Sequence, residues 1–336
     1  HHGHRGARAG QTDAPAGTDH GLQGGKHATR LALLAGADRG AGHGLGDGIL
    51  ALRPEIEAVA AELILGALGE LIGQVYVEEY LPKGTKEKLT EIGESIKAVY
   101  AERIKGLDWM SDVTKEKALK KLATIVMKVG YPDQWKDMST LQTDRSSYAR
   151  NVINANIWSM QYMVNKYGKP VNRNEWDMYP QTYNAYYNPS NNEIVVPGCN
   201  IIVPGYERTL ADDAILYSII GGSTFGHEIT HGFDDQGSKY DELGNLNNWW
   251  TSEDSARFYA KTKMIVEQFG EYNPVDSLRI NGELTQGENI ADLGGIVMGY
   301  VNPITTITPD GKTTVDFKLV LTDFAPAAAF RLFQLA

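Results

Sequence analysis

A chain of 336 residues with 42% hydrophobic and 22% charged residues has the composition of a globular protein with one large domain or two ordinary ones. A formal net charge of -10 argues against a surface for nucleic acid or anionic membrane. The single cysteine, Cys199, excludes an intrachain disulfide. No uninterrupted apolar run reaches the ~18 residues of a membrane span. The nearest candidate, Ala58 to Gly73, is broken by Glu62 and Glu70. No secretory leader is recognisable, and the first residue is His1 rather than Met, so the true N-terminus is expected to lie elsewhere.

Residues 1 to 50 hold 13 of the 36 glycines, six of the eight histidines and no aromatic residue. With so little to bury, this stretch is expected to be disordered or non-native, such as a shifted reading frame, up to about residue 65. From Gly66 the pattern turns helical. Gly73 to Tyr80 and Lys86 to Lys105 carry apolar residues at three- and four-residue intervals. The same periodicity predicts a helix from Ser111 to Lys128, with Ser111 or Thr114 as its cap. A further helix over residues 150–167 is expected to bury Trp158, Tyr162 and Met163. Tyr and Val runs around "NPSNN" within 181–204 read as a hairpin. A long helix with Ile215, Ile219, Ile220, Phe225 and Ile229 on its buried side leads into "GHEITHGFDD". Helices from about Glu253 to Phe269 and Gln286 to Tyr300 complete the described pattern.

His227 and His231, four residues apart, sit about 40° from each other on one helix face. Two imidazole nitrogens so placed can reach one zinc ion, while Glu228 can hold and deprotonate a water without ligating. In isolation the pattern also fits two hydrogen-bonded histidines on a polar helix face. A catalytic zinc needs a third ligand and an open position. No histidine follows His231, so with the head of the chain excluded the third ligand is expected to be a carboxylate. "GENIADLGG" at 287–295 presents Glu288 and Asp292 on one face, the first to ligate and the second to orient a ligand histidine. Asp234, three residues past His231, can orient that ring, and Gly294 and Gly295 permit close helix approach.

These residues resemble the neprilysin and endothelin-converting enzyme family of zinc endopeptidases. The resemblance rests on "NAYYNPSNNEIVVP", "GHEITHGFDDQGSKYDELGNLNNWW" and "GENIADLGG", and extends through "GQVYVEEYLP" and "LDWMSDVTKEKALKKL" to cover about residues 66 to 316. It implies an α+β, predominantly α-helical fold, with a zincin-like (thermolysin-like) catalytic domain over 179–316 and part of a helical region over 66–178. It implies one zinc per chain held by His227, His231 and Glu288, with Glu228 polarising the water and Asp292 in a proton-transfer or orienting role. Asn184 and Ala185 match the pair that hydrogen-bonds the substrate backbone from an edge strand. Peptides are the implied substrates, without nucleic acid. The setting implied is extracytoplasmic (membrane-associated, periplasmic or secreted), although some bacterial relatives are cytoplasmic.

The family also carries a histidine and an arginine after the third ligand, which stabilise the oxyanion and grip the substrate. The last twenty residues, "FKLVLTDFAPAAAFRLFQLA", do not match that segment, and a frame change near Asp316 with an aberrant tail over 317–336 is expected. Two functional expectations follow: a zinc endopeptidase, or a zinc- and peptide-binding fragment impaired by the lack of an oxyanion donor.

Overall fold

The computed structural model describes residues 53–301, 304–308 and 311–315. The expectations for residues 1–52 and for the tail from 317 lie outside them. The described residues divide into two compact units, 53–68 with 141–163, and 69–140 with the residues from 164 onward.

The first unit holds the start of α1 (Arg53–Glu79) and nearly all of α4 (Tyr148–Val164). Helix α1 therefore begins at Arg53, inside the stretch that composition assigned to disorder, and bends at Leu68, where φ is -124° and ψ 17°. Helix α4 buries Ala155, not the aromatic stripe expected of it. Trp158 and Tyr162, one turn apart, stack on each other at 5.2 Å and are half-buried. Met163 lies about 100° further round the helix and is 67% exposed.

The second unit carries the core. Helix α2 (Thr85–Lys105) buries Leu89, Ile92, Ile96, Tyr100 and Ile104, the stripe its spacing demands. Ser111 caps α3 (Asp112–Ala123), its hydroxyl accepting from the Thr114 N–H. The helix stops at Ala123, shorter than its periodicity suggested, and Val126 to Lys128 are strand. They belong to β1 (Val126–Gly130), which pairs in parallel with β3 (Glu193–Pro197). The valines of this stretch suit a pleated surface, and pairing with a fully buried strand overrides the helical pattern. The expected hairpin is present. Strand β2 (Tyr186–Asn188) runs antiparallel to β3, giving the order β1-β3-β2. At its turn Asn192 adopts a left-handed φ of 48°, and its Nδ2 donates to Lys121 O and Thr124 Oγ1, fastening the hairpin to the end of α3.

A continuous helical run follows, made of α5 (Asp213–Leu216), a π-helical segment Tyr217–Gly226, and α6 (His227–His231). Ile220, Phe225 and Ile229 are fully buried, whereas Ile219 is partly exposed. The wider π turn shifts the phase of the buried face, which a 3.6-residue reading misplaces by one position. Helix α7 (Ser252–Gly270) is capped by Thr251. Its Asp254 is fully buried and accepts from Ser111, Thr114, Thr251 and Arg257, joining the N-termini of α3 and α7.

Helix α8 (Gly282–Val301) crosses the π segment and α6 along a seam of glycines. A Cβ on Gly226 would stand 2.9 Å from Gly295 Cα, and one on Gly222 2.9 Å from Gly295 O. No side chain fits there, so the two backbones meet directly. Strands β4 (Ile304–Thr308) and β5 (Gly311–Val315) form a hairpin beyond α8.

Candidate metal centre

Helix α6 puts His227 and His231 on one face, and their Nε2 atoms approach to 3.0 Å. The rings stand nearly perpendicular, at 87°. The glycine seam brings α8 close enough for Glu288 Oε2 to lie 3.3 Å from His227 Nε2 and 3.6 Å from His231 Nε2. Together these three donor atoms lie within 4.8 Å of one another. Tetrahedral coordination at zinc–ligand distances of about 2.0–2.1 Å requires ligand atoms about 3.3–3.4 Å apart. The observed separations of 3.0, 3.3 and 3.6 Å bracket that spacing, and two imidazole nitrogens with one carboxylate oxygen are a donor set that the borderline zinc ion accepts. The residues present therefore fit the ion.

Each ring also touches a carboxylate at its other nitrogen. His227 Nδ1 lies 2.9 Å from Asp292 Oδ1, one turn beyond Glu288 on α8. His231 Nδ1 lies 2.7 Å from Asp234 Oδ2. An imidazole that donates Nδ1–H to a carboxylate turns its Nε2 lone pair toward the cluster, which a ligand must do. Burial disfavours the charged imidazolium of His227, but Asp292 and Glu288 outweigh it and push the ring up to about 9. Burial likewise opposes charge on His231, and Asp234 and Glu288 push it to about 10. Hydrogen bonds from the same two rings hold Glu288 well below the usual carboxylate range. A cation at this position displaces those ring protons, so its affinity rises with pH.

Glu228 faces the cluster from within. It is only 6% exposed, and burial raises its carboxyl to about 7 against the opposing pull of the two imidazoles and the Tyr187 backbone. By contrast Glu288 and Asp292 have side chains 70% and 71% exposed, so the cluster is open on the α8 side among the described residues. Asn184 and Ala185 lie just before β2, one of the two outer strands of the sheet, whose Tyr187 neighbours Glu228. Asn184 is exposed. Its side-chain oxygen accepts the Ala185 N–H at 2.9 Å, and its carbonyl accepts Asn200 Nδ2 at 2.9 Å.

One residue near the centre escaped the sequence reading. Lys121 is 1% exposed and donates to three carbonyls of the loop that follows His231. The sign that could have found it is its place in "KEKALKKL". It shares the helix face of Thr114, Ala118 and Leu122, which is the buried face of α3.

A mostly helical α+β fold with His-Glu-x-x-His on one helix and a carboxylate supplied by a later one defines the zincin class. Within that class the chain belongs to peptidase family M13, whose profiles match residues 48–132 and 184–305. It is 34% identical over 249 residues to "Neprilysin-11" of Caenorhabditis elegans, covering 71% of this chain and 29% of that protein. It is 36% identical over 242 residues to the "Neutral endopeptidase" of Lactobacillus helveticus, covering 70% and 36%. Among solved structures, a Mycobacterium tuberculosis zinc metalloprotease in complex with an inhibitor matches with a TM-score of 0.67 at 38% identity, covering 79% of this chain and 40% of that one. The chain thus spans about a third of the length of the curated relatives it matches. No described helix is long and apolar enough to cross a membrane.

Proposed function

We propose that this chain carries the catalytic centre of a zinc metalloendopeptidase that hydrolyses internal bonds of small peptides. The observation that carries the reading is the three-donor cluster of His227, His231 and Glu288 with the buried carboxyl of Glu228 beside it. Zinc, when bound, supplies a Lewis acid that acidifies water and polarises the scissile carbonyl. Glu228 accepts the proton of the attacking water and delivers it to the leaving amine. Asp234 and Asp292 fix the tautomers of the two histidines through their Nδ1–H groups.

Substrate backbone docks along β2 by strand addition, with Asn184 and Ala185 hydrogen-bonding to it at the near end. The Asn184 side-chain oxygen accepts the Ala185 N–H, and its amide N–H groups are donors that a peptide carbonyl can take up. Residues 179–316 form the catalytic part and 66–178 the adjoining helical part of a longer architecture. The family resemblance of the three motifs is what supports an extracytoplasmic setting for this peptidase.

Glu228→Gln is the test. The variant should bind one zinc per chain as the parent does and lose cleavage of a short apolar peptide by about 10²–10⁴-fold. Undiminished turnover refutes the role of Glu228. A parent chain that holds zinc and peptide without turnover supports the impaired-fragment reading instead.

A further inference from the structure

The loop from Gly232 to Tyr240 leaves the second histidine and must return its backbone past α3. Three carbonyls of that loop point inward at one atom. Lys121 Nζ donates to Gly232 O at 2.7 Å, Gly237 O at 2.6 Å and Tyr240 O at 2.7 Å. An ammonium has three donors, and all three are used. The rings of Phe233, Tyr187 and Trp249 enclose the charge at 5.6, 5.8 and 5.9 Å. Among the described residues no carboxylate bonds it directly. Burial draws the ammonium down to about 8, while Asp234 and Asp241 pull the other way.

The same loop holds the histidine's partner. Asp234 Oδ1 accepts the N–H of Gln236 at 2.8 Å and of Gly237 at 2.7 Å, while Oδ2 meets His231 Nδ1. Gly237 is therefore gripped at both ends of its peptide groups, its carbonyl by Lys121 and its N–H by Asp234. Gly237 is the residue the two sets of bonds share: the peptide unit on one side of its Cα bonds Asp234 and the unit on the other side bonds Lys121. A neutral residue at 121 would take the lysine's donor from Gly232 O and leave Gly237 O to the Tyr240 N–H and Tyr240 O to Trp249 Nε1 among the described residues, so the loop would lose the bonds that draw these carbonyls to one point.

We propose that Lys121 is a positioning residue for the metal centre: its buried ammonium gathers the carbonyls of residues 232, 237 and 240 and so fixes Asp234 against His231. It acts on the metal only through that loop, and the proposal rests on the reading of His231 as a ligand. Burying a lysine is costly, and its three bonds to loop carbonyls offset that cost. The ammonium thereby sets the geometry of the loop.

Two variants of the full chain test it. Lys121→Met keeps the length of the side chain and removes the charge. Its zinc affinity, measured by competition with a chromophoric chelator, should fall by about 10–100-fold, the range typical of groups that support a ligand. Thermal melting and circular dichroism report whether it folds. Combined with Asp234→Asn the loss should not add, because both changes break one chain of contacts. Additive losses, or parental zinc affinity in a folded Lys121→Met, overturn the proposal. Lys121→Arg serves if the methionine variant does not fold. Its planar fork cannot meet three converging carbonyls, so weakened zinc affinity is expected, and unchanged affinity is again fatal. A readout without metal separates this idea from the peptidase reading. In the metal-free protein with labelled histidine, the hydrogen-bonded His231 Nδ1–H resonance should shift or vanish in either variant. A parent chain that binds no zinc overturns the metal reading, whereas an unmoved His231 resonance overturns the role of Lys121.

Discussion

The two histidines of the centre look alike in sequence and stand in unlike surroundings. His231 leans on Asp234, a carboxylate with only 5% of its side chain exposed, held by two backbone N–H groups in a loop gathered around Lys121. His227 leans on Asp292, whose side chain is 71% exposed and, among the described residues, is bonded to no backbone N–H group. One arm takes its carboxylate from three positions past its histidine, in a loop that Lys121 of α3 gathers. The other arrives from a helix more than fifty residues on, delivered by the glycine seam. A buried, multiply bonded carboxylate is pre-organised, whereas an exposed one depends on where its helix lies and is screened by water.

The change with the largest effect removes what the two arms share. Glu288→Ala should weaken zinc binding beyond the ~10–100-fold range of supporting groups, since it deletes a ligand rather than its prop. Dialysis followed by metal analysis reads the outcome, and retained stoichiometric zinc would break the cluster. Next comes Asp234→Asn, expected near the ~100-fold end of that range, with a fall in melting temperature as the Gln236 and Gly237 N–H groups lose a charged acceptor. Asp292→Asn is expected near the ~10-fold end with melting unchanged. If Asp292→Asn costs more zinc affinity than Asp234→Asn, the asymmetry between the arms is wrong.

Gly226→Ala probes the seam. Its new methyl group meets Gly295 Cα, so α8 must shift, costing ~1–3 kcal/mol of stability as overpacking does. Metal affinity should fall with it, because Glu288 and Asp292 move while the Asp234–His231 contact stays. Denaturant unfolding and zinc titration together decide whether the two losses travel as a pair.

The smallest effect on the centre should come from Asp254, the brace between α3 and α7. Burial disfavours its charge, yet hydrogen bonds from Ser111, Thr114 and Thr251 outweigh this and hold the carboxyl well below its usual range. Its folded value being depressed, it contributes stability above the unfolded carboxylate range, and that contribution is lost as pH falls below about 4. Asp254→Asn should cost ~1–3 kcal/mol near neutrality. It should also flatten the acid limb of the stability curve while leaving zinc affinity as in the parent. An unchanged acid limb would remove Asp254 from the account.

The parts of this protein that a reader of its residues can find are those written in short-range periodicity. Helix α2 repeats its buried stripe every turn, Ser111 and Thr251 announce the helices they cap, and "NPSNN" marks a hairpin. The four-residue spacing of His227 and His231 is of the same kind, because one helical turn alone sets two nitrogens side by side. Where periodicity met a longer-range partner it misled. Val126 to Lys128 continue the pattern of α3 but pair with β3, and Met163 continues that of α4 but faces water. Packing alone set the π winding that exposes Ile219, the seam that carries Glu288 to the histidines, and the burial of Lys121, a residue type that composition assigns to the surface. Local spacing dictates which atoms share a turn of backbone. Which turn meets which depends on surfaces assembled from the whole chain, and here glycines at 222, 226 and 295 let two backbones touch.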